Sequence, residues 1–302
     1  MKNLFLTILV LMLFCGCSLS LHPEYNGSFV NDYSQMANAE TIPDDGVGNF
    51  STMVVADLHF GRKDRDSDVF YKFPEIQKWY QKNKVDISYT FCLGDSSDDS
   101  LKSEFVEAKD FLDSISDGRF LSVLGNHDIR ESGRNIAQSV FGTPDYFRIE
   151  RHGISFYFVD NSMRTLGHSQ LNELISSMKA DKNPKVVLTH YPIYPEIEVV
   201  YGSMYDMDEV ATLTSLFSSC NVRLVLSAHY HRKNVISQYS DDCTELVLRP
   251  CHGRTGNHID TTPASWYILE FDMDNEECKV IWFFLEEDMD SPKSKVLGVF
   301  PI

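Results

Sequence analysis

Beyond its first seventeen residues the chain has no apolar run long enough to span a bilayer, so the body is expected to be soluble. Positive charge is also scarce. Twenty-seven Lys and Arg against 44 Asp and Glu leave a formal charge of −17, which argues against a nucleic-acid scaffold, since phosphate backbones are gripped by clustered basic residues. The chain has seven cysteines and none forms a Cys-x-x-Cys pair, which removes support for a zinc ribbon or a thioredoxin-like redox site. There is no Gly-x-Ser-x-Gly elbow, so a serine hydrolase is not supported. Internal repeats and low-complexity tracts are missing as well, and a 302-residue chain of 43% hydrophobic composition reads as one large domain with trimmed ends.

What is present begins with an address. Met1, Lys2 and Asn3 form a short basic start, followed by the apolar run Leu4 to Phe14, the length of a signal-peptide core. Phe14-Cys15-Gly16-Cys17 resembles a bacterial lipoprotein signal, with Cys17 the lipidated residue and Phe14 standing where an aliphatic residue is usual. Residues 1–17 are therefore expected to be a lipoprotein signal peptide with a lipobox. The polar stretch 18–49 reads as a flexible tether, 50–290 as the catalytic domain and 291–302 as a C-terminal tail. The expected location is the bacterial cell envelope, on the periplasmic or outer-surface face, with contact to the membrane through the N-terminal lipid only. Five cysteines remain after Cys17. Cys92 falls in an apolar strand pattern as core filler, and Cys243 and Cys251 either bridge across a hairpin or stay free.

Along the domain, apolar strands alternate with helical patterns. Strands are read at 52–56, 87–93, 120–124, 186–188 and 224–226, a hairpin over 146–160, and helices at 74–82, 101–114, 170–179 and 208–218. The last third, with strands at 244–248, 266–271 and 279–285, looks antiparallel. The fold class is α/β with more than one sheet.

Each buried strand is followed by ligand-type residues. Asp57-Leu58-His59 follows the first; Gly94-Asp95-Ser96-Ser97-Asp98 the second; Gly125-Asn126-His127-Asp128 the third; His190 the fourth; and His229-Tyr230-His231 the fifth. Singly these are weak signals, because a turn explains each. Together they point to one site, since ligands gather at the carboxyl ends of strands in open α/β sheets and buried carboxylates and imidazoles are costly unless paired or metal-bound.

The series Asp-x-His, Gly-Asp-x-x-Asp, Gly-Asn-His-Asp, His and x-His-x-His, running from Asp57 to His231, is similar to the calcineurin-like metallophosphoesterase superfamily. The resemblance implies two mixed β-sheets packed as a sandwich and flanked by helices. It implies two divalent ions (Mn, Fe, Zn or Co), one on Asp57, His59, Asp95 and His231, the other on Asp95, Asn126, His190 and His229, with Asp95 bridging. The expected reaction is hydrolysis of a small-molecule phosphate mono- or diester by a metal-bridging hydroxide. His127 is expected to assist the leaving group, and Asp98 to orient His127. Asp128 reads equally as a structural cap. Asp98 stands where the iron–tyrosine branch of the family places Tyr, which disfavours a purple acid phosphatase, and Ala228 stands where glycine is usual.

Arg62, Lys63, Arg65 and Arg130 lie near motif loops and read mainly as surface charge, with Arg130 the likeliest substrate contact. His252 and His258 lie in and beside a Gly-rich loop that could line the cleft, and Tyr191 and Tyr194 flank Pro192 as packing residues or base-stacking platforms. Length and pattern look most like the cyclic-nucleotide phosphodiesterase and purple-phosphatase-like branches, and argue against a two-domain 5′-nucleotidase. The alternative readings are a cyclic-nucleotide-type phosphodiesterase specifically, or a non-catalytic ligand-binding surface lipoprotein on the same fold.

Overall fold

The computed structural model describes residues 48–64, 66–193, 202–255 and 261–302. The signal peptide, Cys17, nearly all of the tether, Arg65, Tyr194 and His258 lie outside the described residues.

The chain opens with β1 (Phe50–Val55), the short β2 (Val69–Phe70), α1 (Phe73–Asn83), β3 (Tyr89–Cys92), α2 (Lys102–Ser114) and β4 (Phe120–Ser122). It continues through α3 (Gly133–Phe141), β5 (Phe147–Arg151), β6 (Ile154–Phe158), α4 (Gly167–Ala180), β7 (Lys185–Leu188) and α5 (Met207–Ser219). Then come β8 (Val222–Ser227), β9 (Val235–Ser240), β10 (Cys243–Val247), β11 (Gly253–Arg254), β12 (Ala264–Asp272), β13 (Glu277–Leu285) and β14 (Lys293–Pro301).

Two six-stranded sheets result, ordered β14-β13-β12-β1-β3-β4 and β5-β6-β7-β8-β10-β9, with β2 and β11 paired separately. Each sheet mixes a parallel run (β1, β3, β4 in one; β6, β7, β8, β10 in the other) with antiparallel flanks. Parallel strands such as β3 and β7 are short, buried throughout and mostly apolar, as strands covered on both faces are. Their inner faces, among them Val54, Phe91, Phe156, Leu188 and Leu226, form one core between the sheets. The outer face of the first sheet packs with Ile76, Tyr80, Phe105 and Leu112 of α1 and α2, and that of the second with Leu174, Leu213 and Phe217 of α4 and α5. The sandwich of two mixed sheets flanked by helices is as expected.

Local chemistry sets several boundaries. Pro74 sits in the first turn of α1, the Asp206 carboxylate caps α5 by accepting from the amides of Asp208 and Glu209, and Gly142 ends α3 with φ 74°.

Residues 291–302 are not a tail. β14 pairs along β13 from Glu277↔Pro301 to Phe284↔Lys293 and closes the edge of the first sheet. Most of it is exposed and it starts with Lys-Ser-Lys, so its apolar alternation is faint, as is common for edge strands. Nor are Cys243 and Cys251 bridged. Both are buried free thiols, Cys243 in the core beneath α5 and Cys251 in the core beneath α2. Cys92 is core filler as expected, fully buried in β3.

Candidate metal centre

The parallel strands of both sheets end on the same side, and the loops leaving them build the site. β1 leads to Asp57 and His59, β3 to Asp95 and Asp98, β4 to Asn126 and His127, β7 to His190, and β8 to His229 and His231. Backbone bonds lock these loops to one another. The amide of Asp57 donates to the Gly94 carbonyl at 3.0 Å, His59 to Asp95 at 2.9 Å, and Ala228 to His190 at 2.9 Å. Asp57, His59, Asp95, His229 and His231 all sit at positive φ, between 47° and 65°. Such backbone disfavours L-residues by roughly 1–2 kcal/mol each, and non-glycine residues held there cluster at functional sites.

Donor atoms of Asp57, His59, Asp95 and His231 lie within 4.8 Å of one another, and so do those of Asp95, His190 and His229. Asn126 joins the second group, with its Oδ1 3.1 Å from His190 Nε2, which is itself 3.2 Å from His229 Nδ1 and 3.3 Å from Asp95 Oδ2. In the first group His231 Nε2 is 3.1 Å from Asp57 Oδ1, and His59 Nε2 is 3.4 Å from Asp95 Oδ2. All seven candidate ligands thus meet in two clusters that share Asp95.

The imidazoles are aimed by what stands behind them. His59 directs Nδ1 at the Asp98 carboxylate (2.9 Å) and His190 directs Nδ1 at the Leu93 carbonyl (2.8 Å). Because these acceptors can only accept, the bonding pattern places a proton on each Nδ1 and turns each Nε2 towards the cluster, with a lone pair there in the neutral ring of His59. Burial, then the neighbouring His231, drives the His59 pKa well below its usual value, and burial with His190 drives that of His229 down to about 2. Burial opposes a charge on His190, but the Asp95 carboxylate outweighs it and lifts the pKa to about 9. Asp95 itself, buried yet facing His190, is held well below the carboxylate range.

The donor set fits divalent ions. It is carboxylate, amide oxygen and imidazole, and among the described residues Asp57 Oδ1 and His59 Nε2 are fully buried without a hydrogen bond, an arrangement costly to fold unless a cation takes their lone pairs. Close packing serves the same end, since a Cβ on Gly94 would lie 2.6 Å from the amide nitrogen of Gly125.

His127 lies at the rim of the cluster, its side chain 18% exposed. Its Nδ1 is 2.7 Å from the Asp98 main-chain carbonyl and 3.3 Å from the Asp98 carboxylate. Asp98 therefore holds His127 chiefly by its backbone, while its carboxylate sits closer to His59. Arg130 also donates to the Asp98 carbonyl (2.9 Å) and Asp99 Oδ1 (2.9 Å), and its Nη2 is 3.3 Å from His127 Nε2. Arg62 Nε lies 3.7 Å from Asp98, so it too belongs to the site edge, whereas Lys63 is exposed. Asp128 resolves as a brace: fully buried, it accepts from the amides of Ser97 and Gly125 at 2.9 Å each. Burial and Asp95 push its pKa up to about 7. Tyr191 is buried with its ring 4.0 Å from that of His229, a packing role. Ala228 does not require glycine, because the positive φ falls on His229 and His231 instead.

His252, expected in a Gly-rich loop that could line the cleft, is part of the assembly. Its Nδ1 is 2.8 Å from the Asp57 carbonyl, and its ring lies edge-on to His59 and His231 at 5.4 and 5.2 Å. Together with the Cys251 amide, which donates to Ala56 at 2.7 Å, it braces the turn that carries Asp57. The available signal was position: His252 follows β10, a buried strand parallel to β8 and so ending on the site side.

A two-sheet sandwich with Asp, His and Asn donors at its strand ends defines an α/β protein with a metal-type centre. The family described as calcineurin-like phosphoesterase matches residues 50–233, and the chain belongs to it. It is 22% identical over 241 residues to a probable cyclic nucleotide phosphodiesterase of Fibrobacter succinogenes, covering 75% of this chain and 91% of that one. Among solved structures, the fold is shared with a purple acid phosphatase from yellow lupin seeds (TM-score 0.62, 12% identity, 84% of this chain, 53% of that one). It is also shared with GAP50, the anchor in the inner membrane complex of Plasmodium (TM-score 0.57, 15% identity, 84% and 89%).

Proposed function

We propose that the chain is a two-metal phosphoesterase. Asp57, His59, Asp95 and His231 hold one divalent ion (Mn, Fe, Zn or Co), and Asp95, Asn126, His190 and His229 hold the other. The observation that carries this reading is the convergence of seven donors in two clusters sharing Asp95, with Asp57 Oδ1 and His59 Nε2 buried inside and, among the described residues, without a hydrogen bond. No candidate ligand is missing, which favours an enzyme over a binding protein that keeps only the fold.

When bound, the ions supply Lewis acidity, making water a nucleophile near neutral pH and drawing charge from the phosphoryl oxygens. The chain's own residues do the rest. With Nδ1 committed to the Asp98 carbonyl, His127 turns Nε2, 3.3 Å from Arg130 Nη2, outward, from where a protonated ring would donate to the leaving-group oxygen once the guanidinium turns to the ester. Arg130 Nη2, beside that nitrogen and largely exposed, is placed to take a phosphoryl oxygen as the ester settles. Asp98 positions both the general acid and His59. The probable phosphodiesterase of Fibrobacter succinogenes, which matches over most of its length, supports a phosphodiester substrate.

The test is a metal-reconstituted assay with paired chromogenic mono- and diester substrates. Wild type is expected to favour the diester, and Asp95→Asn to lose at least 100-fold in kcat/KM; equal rates in the two proteins would refute the mechanism. We also propose attachment to the cell envelope through lipid on Cys17. Labelled palmitate should enter the wild type and not Cys17→Ala, and incorporation that persists in the variant would remove the anchor.

A further inference from the structure

β10 is buried along its whole length, yet it carries a glutamate. Glu245 is fully buried, and its register partner on β8 is Val225, part of the core beneath α5. A carboxylate in such a place is costly unless donors surround it, so its partners tell what it is for. Oε1 accepts from the Ile193 amide at 2.9 Å and from the Ser227 hydroxyl at 2.7 Å. Oε2 accepts from the Tyr239 hydroxyl.

Two of these donors sit in the loops of the second ligand cluster. Ile193 follows His190 by three residues, and Ser227 precedes His229 by two. The link to His190 is at most roughly 11 Å of chain, and Pro192 within it has a fixed backbone angle, so it is short and stiff. The loops also meet each other directly. The Ala228 amide donates to the His190 carbonyl at 2.9 Å, and His190 Nε2 lies 3.2 Å from His229 Nδ1. Asn161 steadies the His190 loop, accepting from the amides of His190 and Tyr191 at 3.1 and 2.9 Å. Glu245 joins that loop to the His229 loop through one oxygen atom. The first cluster has other braces: His252 and Tyr71 bond to the carbonyls of Asp57 and His59 at 2.8 and 2.6 Å.

We infer that Glu245 is a positioning residue for the second ion: by fastening both loops it sets the spacing of His190 and His229, and with it the affinity of the ion they share. The inference rests on the two-metal reading and adds that the two ions depend on separate braces. Geometry rather than charge is what the loops need. A glutamine in this place keeps an oxygen for Ile193 and Ser227, and its amide can donate to the Tyr239 hydroxyl.

Calorimetric titration of the metal-stripped full-length protein with manganese reads each ion without any turnover. Wild type should bind two ions. Glu245→Ala should bind the first as wild type does, and the second about tenfold or more weakly. The weakened ion should be the one that His229→Ala loses and His59→Ala keeps. Glu245→Gln should bind both ions as wild type does. Ser227→Ala and Tyr239→Phe each take one hydroxyl from Glu245, yet only Ser227→Ala should weaken the second ion, because only Ser227 lies in a ligand loop. Melting curves establish which variants fold, and this last pair decides the matter if Glu245→Ala does not. Equal weakening of both ions, unchanged affinity in a folded Glu245→Ala, or equal effects of Ser227→Ala and Tyr239→Phe would overturn the role of Glu245 and leave the two-metal reading standing. Wild type that binds no manganese would overturn both.

Discussion

Gly125 carries no side chain because there is no room for one. A Cβ there would lie 2.2 Å from Asp95 Oδ1 and 2.4 Å from the Asp95 amide nitrogen. This glycine matters for close approach, since its φ is not positive. Gly125→Ala is expected to push the shared carboxylate out of line, destabilising the fold by about 1–3 kcal/mol and lowering kcat/KM by more than tenfold. Urea denaturation and steady-state kinetics on the metal-loaded protein check the two effects, and a variant with wild-type kinetics would show that Asp95 needs no such fit. The ligands were legible in sequence because each follows an apolar strand at once. What stands behind them was not. His252 bonds to Asp57 across 195 positions of chain, and no local spacing encodes such a contact. Asp98 was expected to orient His127, but which of its oxygens does so is settled by geometry alone.

At the scale of elements, α3 went unread from sequence. It is only nine residues long, starts on Gly133, and buries just Gly133, Ala137 and Phe141. Charged groups fasten it to the second sheet. Arg134 of α3 lies 2.9 Å from Asp145 Oδ2 and also contacts Asp160, while Gln138 donates to Asp145 Oδ1 at 2.6 Å. One guanidinium cannot neutralise two buried carboxylates. Burial and the charge of Asp160 accordingly raise the Asp145 pKa to about 8. A raised carboxylate pKa means the fold prefers the protonated acid. Its stabilisation is complete below the ordinary value near 4 and is lost as pH rises towards 8. Between pH 5 and 8.5 the wild type is therefore expected to lose at least about 1 kcal/mol that Asp145→Asn, neutral at every pH, does not lose. Thermal melts across that range would show the difference, and parallel pH profiles would place the proton elsewhere. The edge strand β14 escaped for a related reason, since an element half in solvent has little hydrophobic pattern to betray it.

For the molecule as a whole, the sandwich was readable because its parallel strands are short apolar runs separated by amphipathic helices, and burial on both faces forces that pattern. The limits of the domain were less readable, because the stretch 291–302 carries β14, an edge strand of the first sheet, where a tail is expected. A chain with formal charge −17 is also an improbable host for an anionic ester. Cations at the strand ends would reverse the local field, which ties substrate binding to metal occupancy. The central claim is thus two ions sharing Asp95, and metal content per folded chain, measured by mass spectrometry after reconstitution and gel filtration, tests it most directly. The account predicts about two ions in wild type and no more than about one in Asp95→Asn. Two ions retained by the folded variant, or none bound by the wild type, would contradict it.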